Sequence, residues 1–262
     1  MSLNDALARL SPTLPVMEPG HVWLAGAGPG HPGQLTLEVV SALAQADHVV
    51  FDALVDASVL RGAAHAELHP MGKRGGRESA SQEDITATLI RLARSGGRVL
   101  RLKGGDPFIF GRGGEEALAL AQARIPFRVL PGVTAALGAA ADSLIPLTMR
   151  GFNKAVVLAT GHAAGLPDDL DWAALAKTGQ PLVVYMGVRN AGLIAAKLQA
   201  GGLSPDTPAA VVMSATTGAE RVLTATLATL AERIEAEGFS SPALLIVGEI
   251  VRLRATLLGE RP

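Results

Sequence analysis

The stretch His21-Val-Trp-Leu-Ala-Gly-Ala-Gly-Pro-Gly-His-Pro-Gly-Gln-Leu-Thr-Leu-Glu-Val-Val-Ser-Ala-Leu-Ala-Gln-Ala-Asp-His-Val-Val-Phe51 changes its hydrophobic period twice. Residues 21–25 form an apolar run that stops at glycines, which predicts a strand entering a loop. Over 36–46, Leu37, Val40, Leu43 and Ala44 recur at helical spacing, and 48–51 is again an apolar, β-branched run. Strand, helix, strand in this order predicts a βαβ unit. The alternation continues outward. Ser81 reads as the N-cap of a helix over 81–94, with Ile85, Leu89 and Leu92 as its apolar stripe. A strand at 98–102, a helix at 114–123 and a strand at 127–130 follow. The expected architecture is α/β, a parallel or mixed sheet flanked by helices.

Pro131-Gly132 breaks this pattern, and an alanine-rich helix from about 134 ends at Ile145-Pro146. Strands are expected at 155–159, 182–186, 209–213 and 243–248, with helices at 191–199 and 227–237. The runs 221–226 and 250–253 read as an antiparallel ribbon. The organisation expected is an arm over 1–20, one α/β domain over 21–134 and a second over 135–262. The active site would lie in the cleft between the two domains, where ligands are commonly bound.

Composition narrows the function classes. The chain has 262 residues, 48% of them hydrophobic, which is enough to build substantial cores. With 23 Lys+Arg against 24 Asp+Glu the net charge is −1, which argues against nucleic-acid binding by bulk charge. Zero Cys excludes disulfides, thiolate zinc sites and cysteine nucleophiles. Residues 1–20 lack the basic start and unbroken apolar core of a signal peptide, and the apolar runs are too short to span a bilayer. A cytoplasmic protein with no membrane partner is expected.

Two glycine-rich segments carry the functional signal. Gly26-Ala-Gly-Pro-Gly30 follows a strand, and Asp47 and Asp52 lie near the offset of a ribose-binding acid in a dinucleotide fold. However, His31-Pro32-Gly33 extends the loop before the helix opens, and Pro29 removes an N–H that a pyrophosphate cradle would need. By itself this segment reads as a tight turn that uses glycine for positive φ. The run Arg101-Leu-Lys-Gly-Gly-Asp-Pro-Phe-Ile-Phe-Gly-Arg-Gly-Gly-Glu-Glu116 is more informative. Five or more glycines interleaved with paired charges exceed what a turn requires, and allow the backbone to approach a ligand closely.

Together with Asp52-Ala-Leu-Val55, Gly72-Lys-Arg74, Pro131-Gly-Val-Thr134, Thr160-Gly-His162, Tyr185-Met-Gly187 and Ser241-Pro-Ala243, these segments resemble the uroporphyrinogen-III C-methyltransferases among the tetrapyrrole methylases. The resemblance covers about 22–257, with the motifs in family order. It implies transfer of methyl groups from S-adenosyl-L-methionine to C2 and C7 of uroporphyrinogen III, giving precorrin-2 by way of precorrin-1, in a homodimer. It implies cofactor contacts at Pro29, Gly104, Gly105, Asp106, Ile109, Thr134, Ala135, Met186, Ala215 and Ala243. Asp52 matches the position of a proton acceptor, which burial would make a better base, and Lys73 that of a donor. Arg112, also considered for proton transfer, suits carboxylate clamping better, because a guanidinium keeps its proton. Glu115 would orient it, and Arg150 and Met186 complete the substrate contacts. Lys73, Arg74, Arg77, Arg112, Arg150 and Arg189 are the candidate cations for an eight-carboxylate substrate. No metal is required for this chemistry. The family pattern Tyr-Ala-Gly-Ile-Pro-Leu-Thr-His-Arg reads Asp142-Ser-Leu-Ile-Pro-Leu-Thr-Met149-Arg150 in this chain, a pair of changes that either repacks a helix or alters substrate fit. A later precorrin as substrate, a non-catalytic binding module and a nicotinamide oxidoreductase are the competing readings.

Overall fold

The computed structural model describes residues 2–72, 81–167 and 169–259. The chain divides into two compact units, Met1–Thr134 and Ala135–Pro262.

The first unit runs α1 (Leu3–Leu10), β1 (Val22–Gly26), α2 (Leu37–Gln45), β2 (His48–Phe51), α3 (Ala57–Leu60), β3 (Glu67–Pro70), α4 (Gln82–Arg94), β4 (Val99–Lys103), α5 (Gly113–Gln122) and β5 (Phe127–Leu130). Its sheet has the order β3-β2-β4-β1-β5 with every pair parallel. Both faces are covered, as an all-parallel sheet requires. Alternation along the strands divides the core: Trp23, Ala25, Val49, Phe51, Leu100 and Leu102 pack with α2 and α3, whereas Val22, Leu24, Val50 and Val99 pack with α4 and α5. Ser81 caps α4 by a reciprocal box with Asp84, and Ile85, Leu89 and Leu92 are buried. Each of these burials stabilises the unit by about 2 kcal/mol. The stripe of α2 is rotated from its sequence reading. Val39, Ala42 and Leu43 face the core, while Leu37, Val40 and Ala44 face solvent. Helix α2 has more apolar residues than one face can hold, so spacing alone does not fix which ones are buried.

The second unit runs α6 (Ala135–Asp142), β6 (Val157–Thr160), α7 (Trp172–Lys177), β7 (Leu182–Tyr185), α8 (Ala191–Ala200), β8 (Pro208–Met213), β9 (Arg221–Thr226), α9 (Leu230–Ala236), β10 (Ala243–Val247) and α10 (Leu253–Leu257). The sheet order is β6-β7-β10-β8-β9; β6 and β7 are parallel, and the other pairs are antiparallel. Leu182, Val184, Val211, Leu245 and Val247 pack with Trp172, Ile194, Leu198 and Leu230 from α7, α8 and α9. Both units are therefore α/β, as the alternation predicts.

The ribbon expected from 221–226 and 250–253 does not form. Residues 221–226 pair with β8 instead. Residues 249–252 are a 3-10 turn leading into α10. Gly248, at φ +138, breaks the strand direction, and the neighbours Ile250 and Val251 are both buried, which a one-faced ribbon does not allow.

Candidate active site

In the first unit, the carboxyl ends of the adjacent strands β4, β1 and β5 feed the loops at 104–112, 27–36 and 131–134. Such an edge is where open parallel sheets bind ligands. Gly28 and Gly105 exchange backbone hydrogen bonds of 3.1 and 2.7 Å. A Cβ on Gly26 would lie 2.5 Å from the Gly105 carbonyl and 2.6 Å from the Cα of Gly132, and one on Gly132 would lie 2.3 Å from the same carbonyl. Three chains thus meet with no room for side chains, leaving a floor of bare backbone. Asp106 pins two of them: Oδ1 accepts from the Phe108 N–H at 2.8 Å, and Oδ2 from the Gly132 N–H at 3.0 Å. Pro29, Gly104 and Ile109 sit partly buried in the same loops, with Thr134 buried beside them.

Beneath this edge lies an ionic cluster that sequence reasoning missed. Arg101 and Lys103 alternate with apolar residues in β4, so they share the face of Val99, towards α4 and α5. There they meet Glu116 of α5. Its Oε1 accepts from Arg101 Nε at 3.1 Å, from Lys103 Nζ at 2.9 Å and from Gln82 Nε2 at 2.9 Å. Glu116 is fully buried, and Arg101 and Lys103 nearly so. Asp52, just past β2, closes the cluster, accepting from Arg101 Nη2 at 2.5 Å with Lys103 Nζ at 3.6 Å. The signal was two cations on one face of a wholly buried five-residue strand, which demand buried counter-charges.

This geometry corrects one expectation. Asp52 is not buried; its side chain is 32% exposed, and what defines its setting is the Arg101 guanidinium. One carboxylate edge is held by cations, while the residue remains open to solvent.

Arg112 stands at the N-terminus of α5 in the left-handed region, φ +58. Its guanidinium forms a fork on Glu115, with Nε–Oε1 at 3.0 Å and Nη2–Oε2 at 2.7 Å. The bond to Glu115 pushes the Arg112 guanidinium further up and holds Glu115 below the usual carboxylate range. Both side chains are exposed. Such a guanidinium clamps carboxylates and does not act as a base.

In the second unit, the register sets Ala243 opposite Met213 and Leu244 opposite Tyr185. The end of β7, the start of β10 and the end of β8 therefore share one edge. Met186 follows β7, half-exposed at φ +54, and Ala215 sits between Ser214 and Thr216, also at positive φ. Met186, Ala215 and Ala243 come together there. Ala135 opens α6, where the next residue, Ala136, donates its N–H to the Tyr185 hydroxyl at 3.1 Å. Arg150 and Arg189 are exposed; Arg189 follows Met186 by three residues, in the turn Val188–Asn190, whereas Arg150 is remote from that edge in sequence. Asp142 and Met149 are exposed as well, so their departure from the family pattern does not repack the core. Lys73, Arg74 and Arg77 lie outside the described residues.

A family model for tetrapyrrole (corrin/porphyrin) methylases matches residues 21–231, most of both units. The chain belongs to the tetrapyrrole methylase family. This methylase is 51% identical over 247 residues to a uroporphyrinogen-III C-methyltransferase of Sinorhizobium, a match covering 93% of this chain and 88% of that one. It is 50% identical over 239 residues to a sirohaem synthase of Neisseria meningitidis, spanning 91% of its own length but 49% of the relative. Among solved structures it is similar to a uroporphyrin-III C-methyltransferase of Thermus thermophilus complexed with S-adenosyl homocysteine. That structure shares 40% identity and a TM-score of 0.76, over 89% of this chain and 99% of that one. A cobalt-precorrin-4 methyltransferase shares 25% identity and a TM-score of 0.80, over 88% of this chain and 96% of that one. Among the described residues of the methylase, no helix is long and apolar enough to cross a membrane.

Proposed function

We propose that this methylase transfers methyl groups from S-adenosyl-L-methionine to C2 and C7 of uroporphyrinogen III, passing through precorrin-1 to precorrin-2. The observation that carries the reading is the 51% identity to an enzyme of that name over 247 residues, drawn from both units. The backbone floor at Gly26, Gly105 and Gly132 suits the donor, whose polar parts can be read by N–H and C=O groups at close range. Pro29, Gly104, Gly105, Asp106, Ile109 and Thr134 from the first unit serve it, with Ala135, Met186, Ala215 and Ala243 from the second.

S-adenosyl-L-methionine supplies a methyl group already activated on a sulfonium. The nucleophilic ring carbon forms its bond to the methyl as the carbon–sulfur bond breaks and its electron pair passes to sulfur; the ring system then loses a proton. The chain's task is to align donor and acceptor and to receive that proton. Asp52 takes it, with Arg101 and Lys103 fixing the carboxylate from below, and Lys73 acts as donor. Arg112, oriented by Glu115, clamps a substrate carboxylate, and Arg150 and Met186 complete the substrate contacts. A homodimer in the cytoplasm belongs to the same reading.

The test is an anaerobic incubation with methyl-labelled S-adenosyl-L-methionine and enzymatically generated uroporphyrinogen III, followed by mass spectrometry of the tetrapyrrole. Two added methyl groups are expected. None added, with S-adenosyl-L-homocysteine still bound, would overturn the reading and mean that Asp142 and Met149 mark a changed substrate or a lost activity.

A further inference from the structure

At the opposite end of the first sheet, β2 and β3 pair with His48 in register with Glu67, and Val50 with His69. Side chains alternate along a strand, so His48, Glu67 and His69 all emerge on one face. His48 Nδ1 is 3.2 Å from His69 Nε2 and 3.3 Å from Glu67 Oε2, and His69 Nε2 is 3.7 Å from Glu67 Oε1. One ligand atom from each residue lies within 4.8 Å of the other two. Around a tetrahedral ion with metal–nitrogen bonds of about 2.0–2.1 Å, neighbouring ligand atoms stand about 3.3–3.4 Å apart. The spacings of His48 Nδ1 to His69 Nε2 and to Glu67 Oε2 are close to edges of that tetrahedron, and the longer 3.7 Å spacing from His69 runs to the other oxygen of the same carboxylate.

The alternative, a purely hydrogen-bonded trio, is less well served by these atoms. His48 Nδ1 faces an imidazole nitrogen and a carboxylate oxygen at nearly equal distance, and a single N–H meets only one of them well. A cation at the centre meets all three. The imidazoles are largely buried, at 20% and 16% exposure, whereas Glu67 is 67% exposed, so the group is rigid on one side and open on the other. Arg91 adds a positive field at His69. Imidazole softness, not net negative charge, must therefore hold the ion, which favours a late transition metal over calcium or magnesium.

We propose that His48, His69 and Glu67 form a transition-metal site of the zinc class, with a fourth position left to solvent. The site is distinct from the methyl-transfer machinery. His48 begins β2 and Asp52 lies four residues on, past its other end, about 13 Å of extended chain away. A bound ion would fasten β3, the edge strand, to β2.

The test uses the full chain, free of any affinity tag and stripped with a chelator, titrated with Co2+ as a spectroscopic stand-in. One equivalent per chain is expected, with the visible bands of a four-coordinate ion, displaced by Zn2+. Glu67→Gln, at an exposed position, and His69→Gln should each weaken uptake by at least about tenfold while far-UV circular dichroism stays unchanged. No uptake by the folded wild type would overturn the proposal. Uptake unaffected by both substitutions would overturn it equally, by placing the ion elsewhere.

Discussion

Asp52 and Glu116 are two carboxylates on the same two cations, yet they call for opposite experiments. Asp52 is open on one side, so replacing it removes a proton acceptor and leaves the buried members of the cluster in place. Asp52→Asn is expected to lower turnover by about a hundredfold or more, with the affinity for S-adenosyl-L-homocysteine unchanged in calorimetric titration. Unchanged turnover would remove it from proton transfer. Glu116 is closed on every side and faces Arg101 and Lys103. Glu116→Gln takes away the only fully buried counter-charge described there, and removing one partner of such a group costs about 3–5 kcal/mol. A urea-unfolding free energy that falls by less than about 1 kcal/mol would show that Asp52 alone balances both cations. Arg101, Lys103 and Glu116 were quoted in the sequence only as part of a run. A charge in a strand gives no hint, before folding, of whether it faces water or a partner on a helix fifteen residues later.

At the scale of elements, Asp169 ties down the loop between β6 and α7. Its carboxylate accepts from the Gly165, Leu170 and Trp172 N–H groups and from Lys197 Nζ of α8 at 2.5 Å. Burial alone would push its carboxyl up, but the Lys197 ammonium and these donors outweigh it and hold the group well below the carboxylate range. A depressed folded value means the stabilisation is present above the unfolded value of 3.8 and is lost as pH falls below it. Thermal melts at pH 7 and pH 3 should therefore differ more for the wild type than for Asp169→Asn, and equal differences would refute the role. The elements legible in the sequence were those with strong periodicity and a cap, such as α4 behind Ser81. Strand β3 was missed because Glu67-Leu-His-Pro70 is a short edge strand, mostly exposed, with no apolar alternation. Residues 250–253 were misread because Ile-Val reads as strand by propensity, while Gly248 and the local Glu249–Arg252 pair at 2.8 Å favour a helical turn. The loop glycines were legible as a ligand-facing segment. Their mutual contact was not, because residues 26, 105 and 132 meet only once three strands stand side by side.

The whole molecule folds as two units, so its unfolding need not be a single transition. This gives the proposed donor site a direct readout. S-adenosyl-L-homocysteine at a hundred times its dissociation constant stabilises what it binds by about 2.7 kcal/mol, a rise of roughly 5–10 °C for units of this size. Since the residues assigned to the donor come from both units, calorimetry should show both transitions moving. A transition that stays in place would assign the ligand to the other unit alone. The chain spans about half of the Neisseria sirohaem synthase, and one such readout separates what this half binds from what the longer protein does.

The meeting of Gly26, Gly105 and Gly132 also bears on how such a protein can change. A pocket floor built from side chains can be reshaped one substitution at a time. Here any substitution inserts a carbon within 2.3–2.5 Å of a carbonyl oxygen at two of the three positions, and the third has a left-handed φ of +67. In a selection from a library randomised at these codons, nearly every surviving clone should encode glycine at positions 26 and 132. New substrate preferences would then arise from side chains of the surrounding loops, such as Arg112, over a floor that stays fixed.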